Sequence, residues 1–227
     1  FQASCDPSSP SSCEPGSLSF VLQNIRSIRR NLDHFILHLH SFKALPPLIF
    51  LSETWLYSEE IKHFDINNYT AFHNCNDHYS AGGVSVYIQD SLVSFSTTTF
   101  LKYNSFDCLR VDLSMGSVCV TFICGYRFHF VNVNDFFSDF IGLLNLCNSP
   151  NLVVLGDFNI DILVNTNIVA NYKNIVCSFG LQILYDLPTR ITDNSKTCLD
   201  HVLYRIVNSN VAPEFEIRDY HITDHTL

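Results

Sequence analysis

The sequence predicts a four-layer α/β/β/α sandwich, in which two mostly antiparallel sheets pack face to face with helices outside. Three observations lead to this fold class. Short apolar runs with the length of strands recur along the chain, helical periodicity is confined to the segments between them, and no segment repeats at a fixed period. Hydrophobic residues make up 47% of the 227 residues, which is enough to fill a large core.

Residues 1–17 differ in composition from the rest of the chain. They read FQASCDPSSPSSCEPGS, a low-complexity stretch of Ser, Pro and Cys with few large apolar side chains. Such a stretch buries too little apolar surface to offset the entropy lost on folding. We therefore predict a disordered lead-in over 1–17 and one domain over 18–227.

The domain opens with a strand, a helix and a second strand. The run Leu18–Leu22 predicts a buried strand, and apolar residues at helical spacing predict an amphipathic helix over 29–42, which the two prolines after it stop. Leu48–Leu51 is the second strand-like run. A polar side chain follows each strand, Asn24 after the first and Glu53 after the second.

The middle of the chain predicts antiparallel hairpins. Between Gly82 and Cys124 the segments GGVSVYI, LVSFSTTTF, FDCLRVDL and SVCVTFICGY alternate apolar and polar residues, and turn residues separate them. We therefore expect four short strands in this region, joined by tight turns.

Two further helices flank another strand. We expect Asn134 or Asp135 to cap the second helix, which leads to a buried strand at Leu152–Leu155. A third helix follows, and Gly180 suits its C-terminal cap. Short strands are predicted over 181–227.

Charge and cysteine content exclude several classes of protein. The formal net charge of -9 argues against a strongly basic, non-specific nucleic-acid binder, but it allows an enzyme that holds a cation between carboxylates. The nine cysteines form no CxxC pair and the ten histidines have no zinc-finger spacing, so we expect reduced thiols in an intracellular protein. No apolar run is long enough to predict a membrane span.

The strongest local signal for chemistry is GDFN, which ends the run Leu152–Leu155. Asp157 and Asn159 are two residues apart, so in an extended chain both lie on one face at the carboxyl edge of the strand. There Asp157 could accept a proton from water, and Asn159 could donate to a phosphate oxygen. An Asx turn explains the tetrapeptide equally well, because Asp and Asn are the usual residues of such turns.

Four further segments place polar side chains near apolar runs. They are QNIR at Asn24, SETW at Glu53, CLDH at Asp200 and TDH at Asp224 and His225. Each of these residues taken alone is typical of an exposed strand end. Together with GDFN, in this order, they are hard to explain by coincidence.

In this order the motifs resemble those of the exonuclease–endonuclease–phosphatase superfamily, which includes deoxyribonuclease I and the abasic-site endonucleases. The matching segments, from about Leu18 to the end, are QNIRS, LSETW, AGGVSVYI, GYR, GDFNID, PTR, CLDHV and TDH. LSETWL, GGVSVYI and the segment from PTR to LDHV are most similar to endonuclease domains of LINE-type non-LTR retrotransposons. The resemblance implies a metal-dependent endonuclease that nicks DNA.

The resemblance also implies roles for the acidic residues and His225. Glu53 would be the principal Mg²⁺ ligand and Asp224 would help to hold the cation, for which Mn²⁺ could substitute. Asp157 would orient or deprotonate the attacking water. Asp200 would fix the tautomer of His225 and favour its charged form, so that His225 stabilises the charge of the phosphorane.

Other residues would bind the phosphate in the same scheme. Asn24 and Asn159 would donate hydrogen bonds to the scissile phosphate or fix Asp157. Tyr126 would contact the phosphate or the leaving oxygen. Thr189, in PTR, would touch the phosphate or support the site.

Four basic residues lie in or beside the motif loops, namely Arg26, Arg127, Arg190 and Lys196. The whole chain has only 13 Lys and Arg residues, so this is a notable concentration. We expect these side chains to contact DNA phosphates, which positions DNA without reading its sequence. Ordinary solvated charge is the alternative.

The chain departs from the family pattern in three places. Arg26 stands two residues after Asn24, where abasic-site endonucleases carry an Asp ligand, although LINE-type enzymes also lack that Asp. GYR is followed by Phe-His-Phe at 128–130 rather than by prolines, so Tyr126 matches the family motif less closely than Asp157 does. The chain stops two residues after His225, so we expect the family's last strand to be truncated.

The predicted function is Mg²⁺-dependent nicking of double-stranded DNA that leaves a 3′-hydroxyl. The resemblance implies that this end primes reverse transcription by a polymerase domain of the same polyprotein. Such an enzyme would be intracellular, and nuclear when it acts on DNA. Two alternatives stay open: another phosphoesterase of the superfamily, such as a phosphatase or an RNA-directed nuclease, and a catalytically degenerate or domesticated copy that only binds a partner.

Overall fold

The computed structural model describes residues 18–76, 81–207, 214–218 and 222–226. The predicted lead-in over 1–17 lies outside these residues. So does residue 227, the last of the chain, where the truncated last strand is expected. Among the described residues, no helix is both long and apolar enough to cross a membrane.

The described residues form an alternation of strands and helices that fills most of the chain. In chain order the elements are β1 (Phe20–Asn24), α1 (Ile28–Leu39), β2 (Leu48–Ser52), a 3₁₀ helix (Ile61–His63), β3 (Tyr69–Asn74), β4 (Val84–Gln89), α2 (Asp90–Val93), β5 (Ser96–Lys102), β6 (Phe106–Met115), β7 (Val118–Arg127), α3 (Val133–Leu146), β8 (Leu152–Asp157), α4 (Asn167–Ser178), β9 (Gln182–Ile183), β10 (Arg190–Thr192), β11 (Ser195–Thr197) and β12 (Asp200–Arg205).

The strands form two large sheets and one small hairpin. The first sheet has the order β1-β2-β4-β3 and the second has the order β5-β6-β7-β8-β12-β9, while β10 and β11 pair separately. Within these sheets β1 and β2 are parallel, as are β7 and β8, and the other pairs are antiparallel.

Three apolar clusters show that the sheets and helices are stacked in four layers. The central cluster joins side chains of β2 and β4 to side chains of β6, β7 and β8, such as Phe50 against Phe122. The helix α1 covers the outer face of the first sheet, and α3 and α4 cover the outer face of the second. The predicted α/β/β/α sandwich with two mostly antiparallel sheets is therefore confirmed.

The helix ends differ in detail from the sequence-based expectations. The first helix ends at Leu39, before the prolines, because the Ser41 and Phe42 N–H groups bond to carbonyls three residues back instead of four. The expected cap of α3 was wrong. Asn132 is the cap, and its side chain accepts a hydrogen bond from the Asn134 backbone N–H. The prediction for Gly180 is confirmed, since it follows α4 with a φ of 68°.

The strand β8 lies in the middle of the second sheet, between β7 and β12. All of its residues are buried, which confirms the prediction for Leu152–Leu155. Near its end β8 comes very close to β7, where Gly156 pairs with Gly125. Gly156 has a φ of 140°, and a Cβ there would overlap the carbonyl oxygen of Gly125.

Replacement of Gly156 by Ala is expected to destabilise the protein by at least about 2 kcal/mol, because it adds both backbone strain and a clash with β7. Gly142 in α3 is the matched control, since a Cβ there meets no heavy atom within 4 Å. Gly142→Ala should stabilise the protein by about 0.5–1 kcal/mol. Urea unfolding of both variants measures the difference, and equal stabilities would contradict the close approach of Gly156 to Gly125.

Candidate functional site

The sheet register brings the predicted site residues to one edge of the sandwich. In the second sheet Tyr126, Asp157 and Asp200 are direct neighbours on three adjacent strands. In the first sheet Asn24 pairs with Ser52, and Glu53 follows directly. Side chains of paired residues lie on the same face of a sheet, so both sheets present polar groups to this edge.

The Asn24 side chain links the two sheets at this edge. Its Nδ2 donates to Asp157 Oδ2 over 2.8 Å and to Glu53 Oε1 over 3.0 Å. Its Oδ1 accepts a hydrogen bond from the Arg26 backbone N–H. The structure thus places Asn24 where it fixes Asp157, one of the two roles expected for it.

Asp157 is completely buried at the end of β8. Its Oδ1 accepts a hydrogen bond from the Asn159 backbone N–H over 2.8 Å, so both carboxylate oxygens have donors. Burial and the nearby carboxylates of Asp200 and Glu53 raise the pKa of Asp157, while His225 acts in the opposite direction.

His225 lies against Asp200 as predicted. The distance between His225 Nδ1 and Asp200 Oδ2 is 2.7 Å, and both side chains are about 4% exposed. Burial alone would lower the pKa of His225, but the charge and hydrogen bond of Asp200 outweigh it and raise this pKa to about 9. The imidazole is therefore held in its charged form near neutral pH. Ligand atoms of Asp157, Asp200 and His225 all lie within 4.8 Å of one another.

The segment that carries His225 is fastened to β1. Thr223 Oγ1 donates to the Asn24 carbonyl over 3.2 Å and accepts the His225 backbone N–H over 3.0 Å. Gln23 Nε2 donates to the carbonyls of Asn24 and His225. Gln23 and Thr223 are not among the predicted site residues, although both stand beside residues that are.

Thr189 supports the site instead of facing the phosphate. It is 3% exposed, and its Oγ1 accepts hydrogen bonds from the Leu199 and Asp200 backbone N–H groups. Its carbonyl accepts from Thr226, one residue beyond His225. Thr189 therefore joins Asp200 to the His225 segment, and the expectation of a phosphate contact does not fit its burial.

Asp224 is held between two arginines. Arg190 Nε donates to Asp224 Oδ2 over 2.7 Å, and Arg26 Nη1 donates to Oδ1. Although burial acts the other way, these hydrogen bonds hold the pKa of Asp224 below its usual value. The arginine side chains are 44% exposed at Arg26 and 35% exposed at Arg190, so their other N–H groups can reach solvent. The role of Asp224 as a metal ligand stays a prediction.

Arg127 is buried, which corrects the expectation that its side chain contacts DNA phosphates. It is 6% exposed, and its guanidinium donates to the carbonyls of Asn159 and Val131 and lies over the Phe136 ring. In return Asn159 Nδ2 donates to the Arg127 carbonyl over 2.7 Å. This reciprocal pair fixes the turn after Asp157, and the Asn159 amide is directed at the backbone rather than at a phosphate.

Tyr126 and Lys196 occupy very different environments. Tyr126 is 2% exposed, and burial together with the carboxylates of Glu53 and Asp157 raises its pKa. It stays neutral and can act only as a hydrogen-bond donor or acceptor. Lys196 is exposed on β11, which is compatible with the predicted phosphate contact and does not test it.

Strained backbone is concentrated around the site. Arg26, Ser27, Glu53, Trp55 and Asn159 all have positive φ values, between 39° and 84°. Each such residue costs about 1–3 kcal/mol unless its surroundings impose the conformation. The surroundings do impose it here, because the loops after β1 and β2 run side by side, with the Ser27 N–H donating to the Glu53 carbonyl over 2.9 Å.

The side chains at this edge fit a hard divalent cation. The carboxyl groups of Glu53, Asp157 and Asp200 share this edge with one charged imidazole, that of His225, so negative charge is in excess. Burial is the main cause of the raised pKa of Asp157, and the carboxylates of Asp200 and Glu53 add to it. In addition, Asp200 Oδ1 is buried and has no hydrogen-bond partner among the described residues. Carboxylate oxygens are the ligands that Mg²⁺ and Mn²⁺ prefer, and Glu53 offers such oxygens at the part-buried side of the cluster.

A family model decides the relationship of this chain to known proteins. The model of the Endonuclease/Exonuclease/phosphatase family matches residues 15–225. The chain belongs to this family. The family resemblance predicted from the motifs is therefore confirmed, and the chain has the fold of nucleases and phosphatases. No curated protein matches the chain by sequence.

Solved structures share the whole sandwich at low sequence identity. The endonuclease domain of TRAS1, a telomere-specific non-LTR retrotransposon, is 11% identical with a TM-score of 0.72, covering 92% of this chain and 95% of that one. The 3′ phosphatase NExo from Neisseria bound to product DNA hairpin is 12% identical with a TM-score of 0.67, covering 92% and 97%. The AP endonuclease LMAP from Leishmania major is 14% identical with a TM-score of 0.64, covering 83% and 79%.

The Asp200–His225 pair gives a direct test by titration. In the metal-free protein the His225 imidazole should titrate near pH 9 by NMR. In Asp200→Asn the pKa of His225 should fall well below 9, because the largest of the charges that oppose the effect of burial is removed. The pKa of His225 is higher in the folded state than in the unfolded state. The contribution of His225 to stability is therefore full below about pH 6.5 and is lost as pH rises through 9. An unchanged midpoint in Asp200→Asn would contradict the pairing.

Proposed function

We propose that this protein is a metal-dependent endonuclease that nicks double-stranded DNA and leaves a 3′-hydroxyl. One observation carries the proposal: Asn24, Glu53, Asp157, Asp200 and His225 converge on one edge of the sandwich. Asn24 bonds both Asp157 and Glu53, and ligand atoms of Asp157, Asp200 and the charged His225 lie within 4.8 Å of one another. These groups supply a base, a charge-stabilising donor and a metal ligand, which hydrolysis of a phosphodiester needs.

Asp157 is the group that accepts the proton of the attacking water. Its carboxylate is fixed by Asn24 and by the Asn159 backbone, so its orientation is set before substrate arrives. Its raised pKa makes it a stronger base than an exposed Asp. A carboxylate in this position can take a proton from water while the P–O bond forms.

His225 stabilises the charge that develops on the phosphate. Its Nδ1 is taken by Asp200, which leaves Nε2–H as the donor toward a non-bridging or leaving oxygen. Because the Asp200 charge is already in place, little reorganisation is needed when negative charge grows. Mg²⁺ or Mn²⁺ held by Glu53, with Asp224 as the second predicted ligand, would neutralise the phosphate and polarise the P–O bond.

Arg26 and Arg190 bind the DNA backbone next to this centre. Asp224 holds both guanidinium groups together, and each keeps N–H groups exposed that can donate to phosphate oxygens. Lys196, which pairs with Ile191 in the β10–β11 hairpin, is a further exposed cation that could contact the DNA backbone. A local cationic edge on a chain of net charge -9 explains how an acidic protein can hold DNA.

The biological setting of the proposal is a retrotransposon. The similarity to the TRAS1 endonuclease domain and the LSETWL and GGVSVYI motifs support a LINE-type enzyme. The 3′-hydroxyl would prime reverse transcription by a polymerase domain of the same polyprotein, and the protein would act in the nucleus. A plasmid nicked by the protein and extended by a polymerase without further processing would show that the new end is a 3′-hydroxyl.

Removal of 3′-phosphates is the second candidate function. The similarity to the NExo 3′ phosphatase favours it, since that protein shares the sandwich over 92% of this chain. Parallel assays on a supercoiled plasmid and on an oligonucleotide with a 3′-phosphate separate the two activities. Faster turnover of the 3′-phosphate would replace the endonuclease proposal.

Glu53→Gln, Asp157→Asn and His225→Ala are each expected to lower Mg²⁺-dependent plasmid nicking by at least about a hundredfold, because each removes a ligand, a base or a charge-stabilising donor. EDTA should abolish nicking by the wild-type protein. Asp112→Asn is the control, since Asp112 pairs with Thr121 at the opposite end of β6 and β7. Undiminished cutting by Asp157→Asn would exclude the assignment, and a wild-type protein that binds but never cuts DNA would identify a degenerate copy.

Arg190→Ala is expected to reduce the slope of log affinity against log salt by about one, because one phosphate contact is lost. Lys173→Ala, on the outer helix α4, should leave the slope unchanged. DNA affinity is measured by fluorescence anisotropy in Ca²⁺ from low to high salt. An Arg190→Ala variant with the wild-type slope would show that the arginines are only solvated charge.

A further inference from the structure

Asp107 is a buried acid that neither the motifs nor the proposed mechanism uses. It lies on β6 as the direct neighbour of Tyr126, in the same row as Asp157 and Asp200, and it is 8% exposed. Burial raises its pKa to about 6, although hydrogen bonds from the Gly83 backbone and the Asn76 side chain act in the opposite direction. Burial of a carboxylate costs free energy unless hydrogen bonds replace those that the group made with water.

The Asp107 carboxylate binds the start of β4, which belongs to the other sheet. Its Oδ2 accepts the Gly83 backbone N–H over 2.7 Å, and its Oδ1 accepts from Asn76 Nδ2 over 3.2 Å. Gly82 fits tightly against the same carboxylate, because a Cβ there would lie 2.9 Å from Oδ2. Asp107 therefore ties the two sheets together at the active-site edge.

The two glycines pass this connection on to the loop after Glu53. The Trp55 N–H donates to the Gly82 carbonyl over 2.9 Å, and the Thr54 N–H donates to the Gly83 carbonyl over 3.3 Å. A Cβ on Gly83 would lie 2.6 Å from Thr54 Oγ1, so the two loops are in close contact. The donors of these bonds, Thr54 and Trp55, directly follow Glu53. The backbone of Glu53 is itself strained, with a φ of 52°.

We propose that Asp107 is a positioning residue for Glu53: its carboxylate fixes Gly82 and Gly83, whose carbonyls hold Thr54 and Trp55 and thereby the strained turn at Glu53. The inference rests on the proposed function in one respect, the role of Glu53 as a cation ligand. A carboxylate suits this task because its charged oxygen accepts a backbone N–H more strongly than a neutral group does. Partners of this kind commonly change metal affinity by about 10–100-fold.

The chain contains a built-in reporter of this connection, because Trp55 is its single tryptophan. Its Nε1 is buried without a hydrogen-bond partner among the described residues, so its emission depends on the packing of the turn. Trp55 fluorescence therefore reads the position of the Glu53 turn without any measurement of activity. Titration with Mg²⁺ alone reads the affinity of the site through the same signal.

The experiment compares Asp107→Leu, Asp107→Asn and Asp112→Leu in the full chain. Asp112 is the matched control, since it is a hydrogen-bonded acid on the same strand at the end away from the site. Asp107→Leu should shift the Trp55 emission of the metal-free protein and raise the half-saturating Mg²⁺ concentration about tenfold. Asp107→Asn keeps an oxygen acceptor for Gly83 and should stay within about threefold of wild type, and Asp112→Leu should match wild type in both signals.

Two results would overturn the proposal. One is an Asp107→Leu protein with wild-type emission and wild-type Mg²⁺ response; if this variant does not fold, Asp107→Ser is read in the same way. The other is a Gly83 amide that exchanges hydrogen freely in the wild-type protein, since the Asp107 bond should protect it. A wild-type protein that neither nicks DNA nor responds to Mg²⁺ would instead reject the proposed function, while the metal-free emission still tests the connection from Asp107 to the turn.

Discussion

The hydrogen bonds of one buried amide, that of Asn24, hold the whole site together. Asn24 ends β1 in one sheet, and its Nδ2 reaches Asp157 at the end of β8 in the other. The bond is possible only because the two sheets pack face to face with their polar strand ends at a common edge. The central apolar cluster supplies that packing, so the core and the site are parts of one arrangement. A sandwich whose sheets slid by one residue would separate Glu53 from Asp157.

The same edge concentrates charge in a way that a stable fold alone would avoid. Asp157 and Asp200 are adjacent on neighbouring strands and both are buried, which is unfavourable for two carboxylates. The charged His225 compensates one of them, and Arg127 is turned away toward backbone carbonyls. The protein thus keeps an excess of negative charge where a divalent cation and a phosphate would meet. Strain in the loops at Arg26 and Glu53 belongs to the same compromise between stability and function.

The sequence predicted the sandwich and the core of the site because both depend on local patterns. Apolar runs that end in polar residues predicted the strands β1, β2 and β8. The same runs pointed to Asn24, Glu53 and Asp157, which stand at their ends. The pairing of Asp200 with His225 followed from the family motifs. What the sequence could not show was orientation. Arg127 and Thr189 belong to the GYR and PTR motifs, yet their side chains point inward, since the direction of a side chain depends on neighbours that are distant in the chain.

Asp107 shows the same limit from the other side. Alternation along FDCLRVDL puts Asp107 on the same strand face as Leu109, Val111 and Leu113, but the segment alone does not show which side chains of other strands lie beside it. Only the register of β6 with β7 reveals that this acid continues the row of Tyr126, Asp157 and Asp200. Its partner Gly83 is recognisable in the GGVSVYI motif, but the reason for two glycines there lies in the contacts with Asp107 and Thr54. The motifs therefore identify the residues that are proposed to carry the chemistry, whereas a positioning role such as the one proposed for Asp107 becomes visible only when both sheets are in place.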